Sequence, residues 1–274
     1  MRKKFQKFWS EVESELKENR TTFLVYTGLR ILVIATLVLQ LFNRNYENVF
    51  LCILTLFLMI LPSAVQATFK VSFPTPLEII MLCFIFAAEI LGEISSFYMR
   101  FQYWDTILHT LNGFICAGIG FSLVDIMNKQ KKYKFEMSPA FLAITAFCFS
   151  MTIGVLWEFF EYSMDSLWNL DMQKDTIITE IYSTIPQVLG NGKNITITDI
   201  KEVVIDGQVL DVGGYLDIGL IDTMNDLIVN FIGASVFSAL GYLCIKRKDM
   251  KHVILGLIPE SKESDGTASG QEKE

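Results

Sequence analysis

Six long apolar runs alternate with polar segments along the chain. They cover residues 23–42, 48–69, 77–99, 106–127, 139–160 and 223–245. Runs of about 20 residues match the roughly 30 Å hydrocarbon core of a bilayer, because an α-helix rises about 1.5 Å per residue. The pattern predicts an all-α polytopic membrane protein with about six transmembrane helices. Pro62 lies inside the second run and is expected to kink that helix.

The distribution of lysine and arginine predicts the orientation of these helices. Up to residue 251, fifteen basic residues flank one set of alternate loops and ends, whereas five lie on the other side. Basic residues are enriched in the cytoplasmic loops of membrane proteins. Both termini are therefore predicted to be cytoplasmic, and residues 165–222 form a long extracytoplasmic insertion between the fifth and sixth helices.

Three segments outside the apolar runs have patterns of their own. Residues 1–22 carry apolar side chains near one helical face among lysines and glutamates, which favours an amphipathic helix on the inner leaflet. Within the insertion, Asp206-Gly207 separates two β-branched runs and predicts a small β-hairpin. Residues 246–274 are predicted to form a disordered cytoplasmic tail, which is polar from Pro259 onward.

Composition supports the membrane assignment. Hydrophobic residues make up 51% of the chain, charged residues only 19%, and the mean hydropathy is +0.39. The net charge of −7 argues against nucleic-acid binding, which needs a basic face to neutralise phosphates. Membrane lipids are therefore the expected surroundings, and the sequence identifies no protein partner.

Polar side chains form one stripe on each of four apolar runs, with members three or four residues apart on one helix face. The stripes are Glu89 and Glu93 in the third run, Asp105, His109 and Asn112 in the fourth, Glu158, Glu161 and Asp165 in the fifth, and Asp222, Asp226 and Asn230 in the sixth. Consecutive helices run in opposite directions across a membrane. All four stripes are therefore expected to meet in its outer half.

So many carboxylates in a medium of low dielectric cannot all stay ionised without protons or cations. Some share protons, or a divalent cation binds among them. An oxygen-rich set with one imidazole suits Mg²⁺, Mn²⁺ or Zn²⁺. The candidate metal ligands are Glu89, Glu93, Asp105, His109, Glu158 and Asp226. Glu161 and Asp222 are the candidate general bases for a bound water.

Several of these residues have simpler structural explanations. The wider polar network consists of Asn112, Asp165, Asn230 and Arg30. Glu161, Asp165 and Asp222 can equally lie in water beyond the interface, where nearby tyrosines and tryptophans predict an aromatic belt. Arg30 either pairs with Glu89 or extends toward the inner headgroups.

Three motifs built from the stripes resemble a known family. They are Trp104-Asp105-x-x-x-His109 followed by Gly113, Trp157-Glu158-x-x-Glu161-x-x-x-Asp165, and Gly214-Tyr215-Leu216-Asp217-Ile218-Gly219 leading into Asp222-Thr223-x-x-Asp226-x-x-x-Asn230-x-x-Gly233-Ala234. Together they resemble the YjdF-like family of bacterial inner-membrane proteins over roughly residues 78–242. The last motif alone is similar to the end of VanZ-like membrane proteins, which are associated with glycopeptide resistance. The resemblance implies a multi-pass protein of the bacterial plasma membrane and names no substrate.

Three classes of function are compatible with this pattern. The first is a divalent-metal-dependent hydrolase or transferase acting on a lipid or envelope substrate at the outer leaflet. The second is a cation- or proton-coupled transporter, for which the sequence shows no broken-helix signature. The third is a non-catalytic membrane factor whose polar network fixes the packing of its helices.

Overall fold

The computed structural model describes residues 20–69, 71–129, 137–185 and 194–246, together with Gln6, Ser10, Glu260 and Ser261. Most of the predicted amphipathic segment 1–22 therefore lies outside the described residues. Contacts divide the chain into two compact units. The larger unit comprises Met1–Gly154 and Ile228–Glu274, and the smaller unit comprises Val155–Leu227.

Five helical segments of the described chain are long and apolar enough to cross a membrane. The first is α1 (Arg20–Phe42), and the second consists of α2 (Tyr46–Leu58) and α3 (Leu61–Phe69). The other three are α6 (Trp104–Lys129), α7 (Pro139–Trp168) and α8 (Leu220–Lys246). Five of the six predicted runs thus correspond to such segments. The break between α2 and α3 is the kink predicted from Pro62, whose ring cannot follow the carbonyl of Leu58 in a continuous helix.

The third predicted run, residues 77–99, is not one α-helix. It begins as α4 (Thr75–Phe86), continues as a π-helix (Ala87–Ile94), and ends in the short α5 (Phe97–Arg100). Ser96, between the last two, has a left-handed backbone with φ 59°. The sequence pattern did not predict this interruption, since hydropathy reports apolar length and not the backbone hydrogen-bond pattern.

Three apolar clusters form the core of the larger unit among the described residues, and the smallest holds Val71, Phe73, Leu77, Ile115 and Ile119. In the first, α1 packs against α2 and α4. Its buried members are Tyr26, Val33, Cys52, Met59, Leu82 and Ile90. The second joins α6, α7 and α8, and its buried members are Ala117, Phe121, Leu142, Ala146, Ala234, Phe237 and Cys244. Small residues in this second cluster allow the helices to approach closely, which is how helices associate in membranes.

The loop after α3 is fixed by buried polar contacts. Gln66 Nε2 donates to Glu78 Oε1 at 3.1 Å, and the main-chain N–H of Phe73 donates to Gln66 Oε1 at 2.8 Å. The loop contains β1 (Val71–Ser72), which pairs antiparallel with β8 (Glu260–Ser261). The prediction of a wholly disordered tail is therefore wrong at Glu260 and Ser261. The sequence could not show this, because the pairing is non-local and the strand has only two residues.

The smaller unit contains three two-stranded antiparallel ladders. They are formed by β2 (Ile177–Ile178) with β7 (Tyr215–Leu216), β3 (Ile181–Ser183) with β4 (Ile195–Ile197), and β5 (Val203–Ile205) with β6 (Gln208–Leu210). The last ladder is the predicted hairpin, with Asp206 and Gly207 both at positive φ. Such a two-residue turn matches the twist of the strands that it joins.

Candidate functional site

Three buried carboxylates lie together in the smaller unit. Glu158 and Glu161 are on α7, and Asp226 is on α8. Their exposed fractions are only 5%, 8% and 3%. Each offers one oxygen, and these oxygens lie within 4.8 Å of one another. The i, i+3 spacing on α7 places both glutamates on one helix face, as the sequence predicted. Carboxylate oxygens are the donors that hard divalent cations prefer in proteins.

A tryptophan contacts one of these carboxylates. The indole N–H of Trp157 donates to Oε1 of Glu161 at 2.9 Å, across one turn of α7. The Trp157 ring also packs against Phe160, with ring centroids 5.3 Å apart. From the sequence, Trp157 was assigned only to an aromatic belt. Its i, i+4 spacing to Glu161 was the signal that could have identified this contact.

Three other aspartates of the smaller unit, Asp165, Asp217 and Asp222, form what we name the aspartate collar. They accept hydrogen bonds from main-chain N–H groups of the segment that follows α7. Asp165 accepts from Met172 at 2.7 Å and from Gln173 at 2.9 Å. Asp222 accepts from Lys174 at 2.7 Å.

Asp217 completes the collar with its two oxygens. Oδ1 accepts from the main-chain N–H of Thr176 at 2.7 Å, and Oδ2 accepts from that of Ile221 at 2.6 Å. The second contact caps the start of α8. Asp165 and Asp222 therefore have structural roles, and the general-base role of Asp222 stays a prediction. Asp217 was not among the predicted site residues, although the flanking Gly214 and Gly219 indicated a turn.

Negative charge accumulates around the collar. Burial, together with the neighbouring carboxylates of Asp171, Asp217 and Asp165, raises the pKa of Asp175 above its ordinary value. Like charges disfavour the ionised form of an acid and thereby raise its pKa. The loop thus presents a field that favours cations over anions.

The other predicted site residues lie in the larger unit. His109 Nε2 is 3.4 Å from Asp105 Oδ1, one turn away on α6. Asn112 Nδ2 donates to Asn230 Oδ1 at 3.2 Å, which joins α6 to α8. Glu89 and Glu93 both lie in the π-helix, and Glu89 is 3% exposed. That all four stripes meet at one site stays a prediction.

Arg30 does not contact Glu89 among the described hydrogen bonds and ion pairs. Its guanidinium donates to the hydroxyl of Tyr26 one turn earlier on α1 and lies over that ring, 5.5 Å from the centroid. Tyr26 lies toward the amino-terminal end of α1, so the side chain of Arg30 extends in the direction expected for snorkelling. Of the two alternatives for Arg30, this contact favours the second.

Comparison with known proteins places the chain among membrane proteins. The family model described as "Predicted membrane protein (DUF2238)" matches residues 25–247. An uncharacterised protein of Thermotoga maritima is 28% identical over 94 residues, which cover 34% of this chain. The match spans 46% of the length of that protein. No solved structure matches the chain.

Proposed function

Since the chain belongs to the DUF2238 family of predicted membrane proteins, we propose that it is an integral membrane protein that binds a divalent cation through Glu158, Glu161 and Asp226. The cation would serve hydrolysis or group transfer on a lipid or envelope substrate. The observation that carries this proposal is the approach of three buried carboxylate oxygens to within 4.8 Å.

The negative charges of the three carboxylates determine which ion the cluster can bind. Three ionised carboxylates at this separation repel one another strongly in a medium of low dielectric, and burial adds a desolvation cost for each. The attraction of a divalent cation for all three carboxylates offsets both penalties. Carboxylate oxygens suit Mg²⁺, Mn²⁺ or Zn²⁺.

The cation would supply one kind of chemistry, the acidification of a bound water. Glu158, Glu161 and Asp226 are the proposed ligands. Glu161, the candidate general base from the sequence, would accept the proton of that water when its carboxylate is displaced from the cation. A lipid or envelope substrate is proposed because the family is membrane-bound.

Metal content tests this proposal. Purified wild-type protein, incubated in turn with Mg²⁺, Mn²⁺ and Zn²⁺ and then desalted, is expected to retain about one metal ion per chain by mass spectrometry. The double variant Glu158→Gln, Asp226→Asn is expected to retain none, because two of the three ionic ligands are removed. Asp199→Asn, which changes an exposed carboxylate of the same unit, is the matched control. A folded wild-type protein that retains none of the three metals contradicts the proposal.

A second candidate is cation- or proton-coupled transport, which the interrupted third segment favours. Discontinuous helices line ion sites in many transporters, and π-helical segments are frequent at functional sites. Glu89 is buried within this π-helix. A cation or proton flux into proteoliposomes that Glu89→Gln abolishes and Glu158→Gln leaves intact would favour transport over the metal-dependent enzyme.

We also propose the finer topology, with six membrane crossings and both termini cytoplasmic, in a YjdF-like protein of the bacterial plasma membrane. The pairing of β1 with β8 supports this topology, because paired strands must lie on the same side of a membrane. The chain between them must therefore cross the membrane an even number of times. Three of the five long helical segments, namely α6, α7 and α8, lie between these strands. The segment α4–π-helix–α5 must then supply a fourth crossing, despite its interruption.

Cysteine labelling in cells checks this topology. In a chain whose five native cysteines are replaced, Ser72→Cys and Tyr103→Cys lie on either side of the interrupted segment. A membrane-impermeant maleimide is expected to label Tyr103→Cys in intact spheroplasts and Ser72→Cys only after lysis. Labelling of both positions from the same side would show that the third segment does not cross the membrane.

A further inference from the structure

The hydrogen bond from Trp157 to Glu161 comes from a donor without charge. An indole N–H is only a donor and carries no charge. It therefore restrains one oxygen of the Glu161 carboxylate without cancelling the negative charge that attracts a cation. A lysine or arginine in the same place would hold the carboxylate equally well and compete with the cation for it.

The donor is itself held in position. Trp157 and Glu161 are one turn apart on α7, so their contact depends on the helix alone and not on the approach of another element. The Trp157 ring packs on Phe160, with the ring planes inclined by 33°. A glutamate side chain loses rotamer entropy when it is fixed. The indole fixes it before a cation arrives.

We propose that Trp157 is the positioning residue for Glu161 in the cation site. This inference rests on the proposed function, since it assigns the indole a role at the same carboxylates. The indole N–H donates to Oε1 of Glu161 and not to Oε2. Holding the carboxylate in one orientation keeps one of its oxygens within 4.8 Å of oxygens of Glu158 and Asp226. Outer-shell donors of this kind raise metal affinity by preorganising the ligand.

Mn²⁺ binding to the full-length protein tests the proposal. Free Mn²⁺ is followed by electron paramagnetic resonance during titration of the detergent-purified protein. Trp157→Phe keeps an aromatic ring and removes the N–H, and we expect it to weaken Mn²⁺ affinity by about 10- to 100-fold. Trp168→Phe is the matched control, because Trp168 is on the same helix and is 61% exposed. It is expected to bind as the wild type does.

A double-mutant cycle shows whether Trp157 acts through Glu161. In the Glu161→Ala background, Trp157→Phe should cause no further loss of Mn²⁺ affinity, since the side chain that it orients is gone. A purely structural tryptophan would weaken binding by the same factor in both backgrounds. If Trp157→Phe does not fold, benzothienylalanine at position 157 keeps the bicyclic shape and removes the donor.

The outcomes separate this inference from the proposed function. A wild-type protein that binds Mn²⁺ and a Trp157→Phe variant that binds it equally well would overturn the role of Trp157 alone. Equal losses in the two backgrounds of the cycle would overturn it as well. A folded wild-type protein that binds no Mn²⁺ would overturn the proposed cation site, and this inference with it.

Discussion

Gly233→Ala is expected to remove most of the folded protein, because it forces two main chains apart. A Cβ atom at Gly233 would lie 2.0 Å from the carbonyl oxygen of Thr110 on α6 and 2.9 Å from the main-chain nitrogen of Phe114. The approach is reciprocal, since a Cβ atom at Gly113 would lie 2.2 Å from the carbonyl oxygen of Asn230. No side-chain rearrangement relieves a collision between a Cβ atom and a backbone. The helices α6 and α8 must therefore separate.

The cost of this separation is large for a membrane protein. Helices in a bilayer associate mainly through close packing and interhelical hydrogen bonds, and separation also weakens the contact between Asn112 and Asn230. We expect a loss of about 3 kcal/mol or more in the free energy of unfolding. It would be measured as a lower Tm and a lower yield of monodisperse protein in detergent.

Gly28→Ala is the matched control for this prediction. Gly28 is also within a predicted membrane helix, α1, and a Cβ atom there would meet no atom within 4 Å. Replacing it is expected to leave the stability unchanged or to raise it by up to about 1 kcal/mol, because alanine is the better helix former. A Gly233→Ala protein with the same Tm as Gly28→Ala would contradict the close approach of α6 and α8.

The parts of the fold that were predictable from the sequence depend on composition and local contacts. Apolar length alone identifies α1, the pair α2–α3, α6, α7 and α8. Asp206-Gly207 identifies a hairpin because both strands are adjacent to the turn that joins them. The break at Ser96 left no such signal. Gly92, Glu93, Ser95 and Ser96 make that end of the run less apolar, but hydropathy alone does not show a change in the backbone hydrogen bonds.

Non-local strand pairings could not be predicted from the sequence pattern. The ladders β2–β7, β3–β4 and β1–β8 join segments that are distant in the chain and only two or three residues long. Strands of this length carry too few side chains for a periodic pattern to be read. The tail was therefore expected to be wholly disordered, although Glu260 and Ser261 are paired.

In the candidate site, too, local features were predictable from the sequence and non-local contacts were not. Spacing on one helix predicted that Glu158 and Glu161 share a face, because an α-helix fixes that relation locally. The collar role of Asp217 could not be predicted, because its partners are main-chain N–H groups of a segment whose course was unknown. The partner of Arg30 was open for a related reason. The sequence left a pairing with Glu89 and an extension toward the inner headgroups as alternatives, and the contact with Tyr26 was not predicted.

Asp217→Ala is expected to loosen the smaller unit more than any other single change in its loops. Both carboxylate oxygens are used, one by the N–H of Thr176 and one by the N–H of Ile221 at the start of α8. Loss of a helix cap costs about 0.5–2 kcal/mol, and a partly buried N–H left without an acceptor adds about 1–3 kcal/mol. We expect a loss of about 2–4 kcal/mol in the local stability of this unit. Hydrogen exchange at the amides of Thr176 and Ile221 would report it directly.

Asp199→Asn is the control, because Asp199 is 78% exposed and pairs with the equally exposed Lys201, and asparagine tolerates the left-handed backbone at this position (φ 58°). This change is expected to alter the stability by less than about 0.5 kcal/mol. Asp217→Asn keeps one oxygen acceptor and should fall between Asp217→Ala and the control. Equal exchange protection in Asp217→Ala and Asp199→Asn would contradict the role of the collar. Asp217→Ala is also expected to weaken cation binding. The first turns of α8 carry Asp226, and fraying of that end would move one of the three proposed ligands.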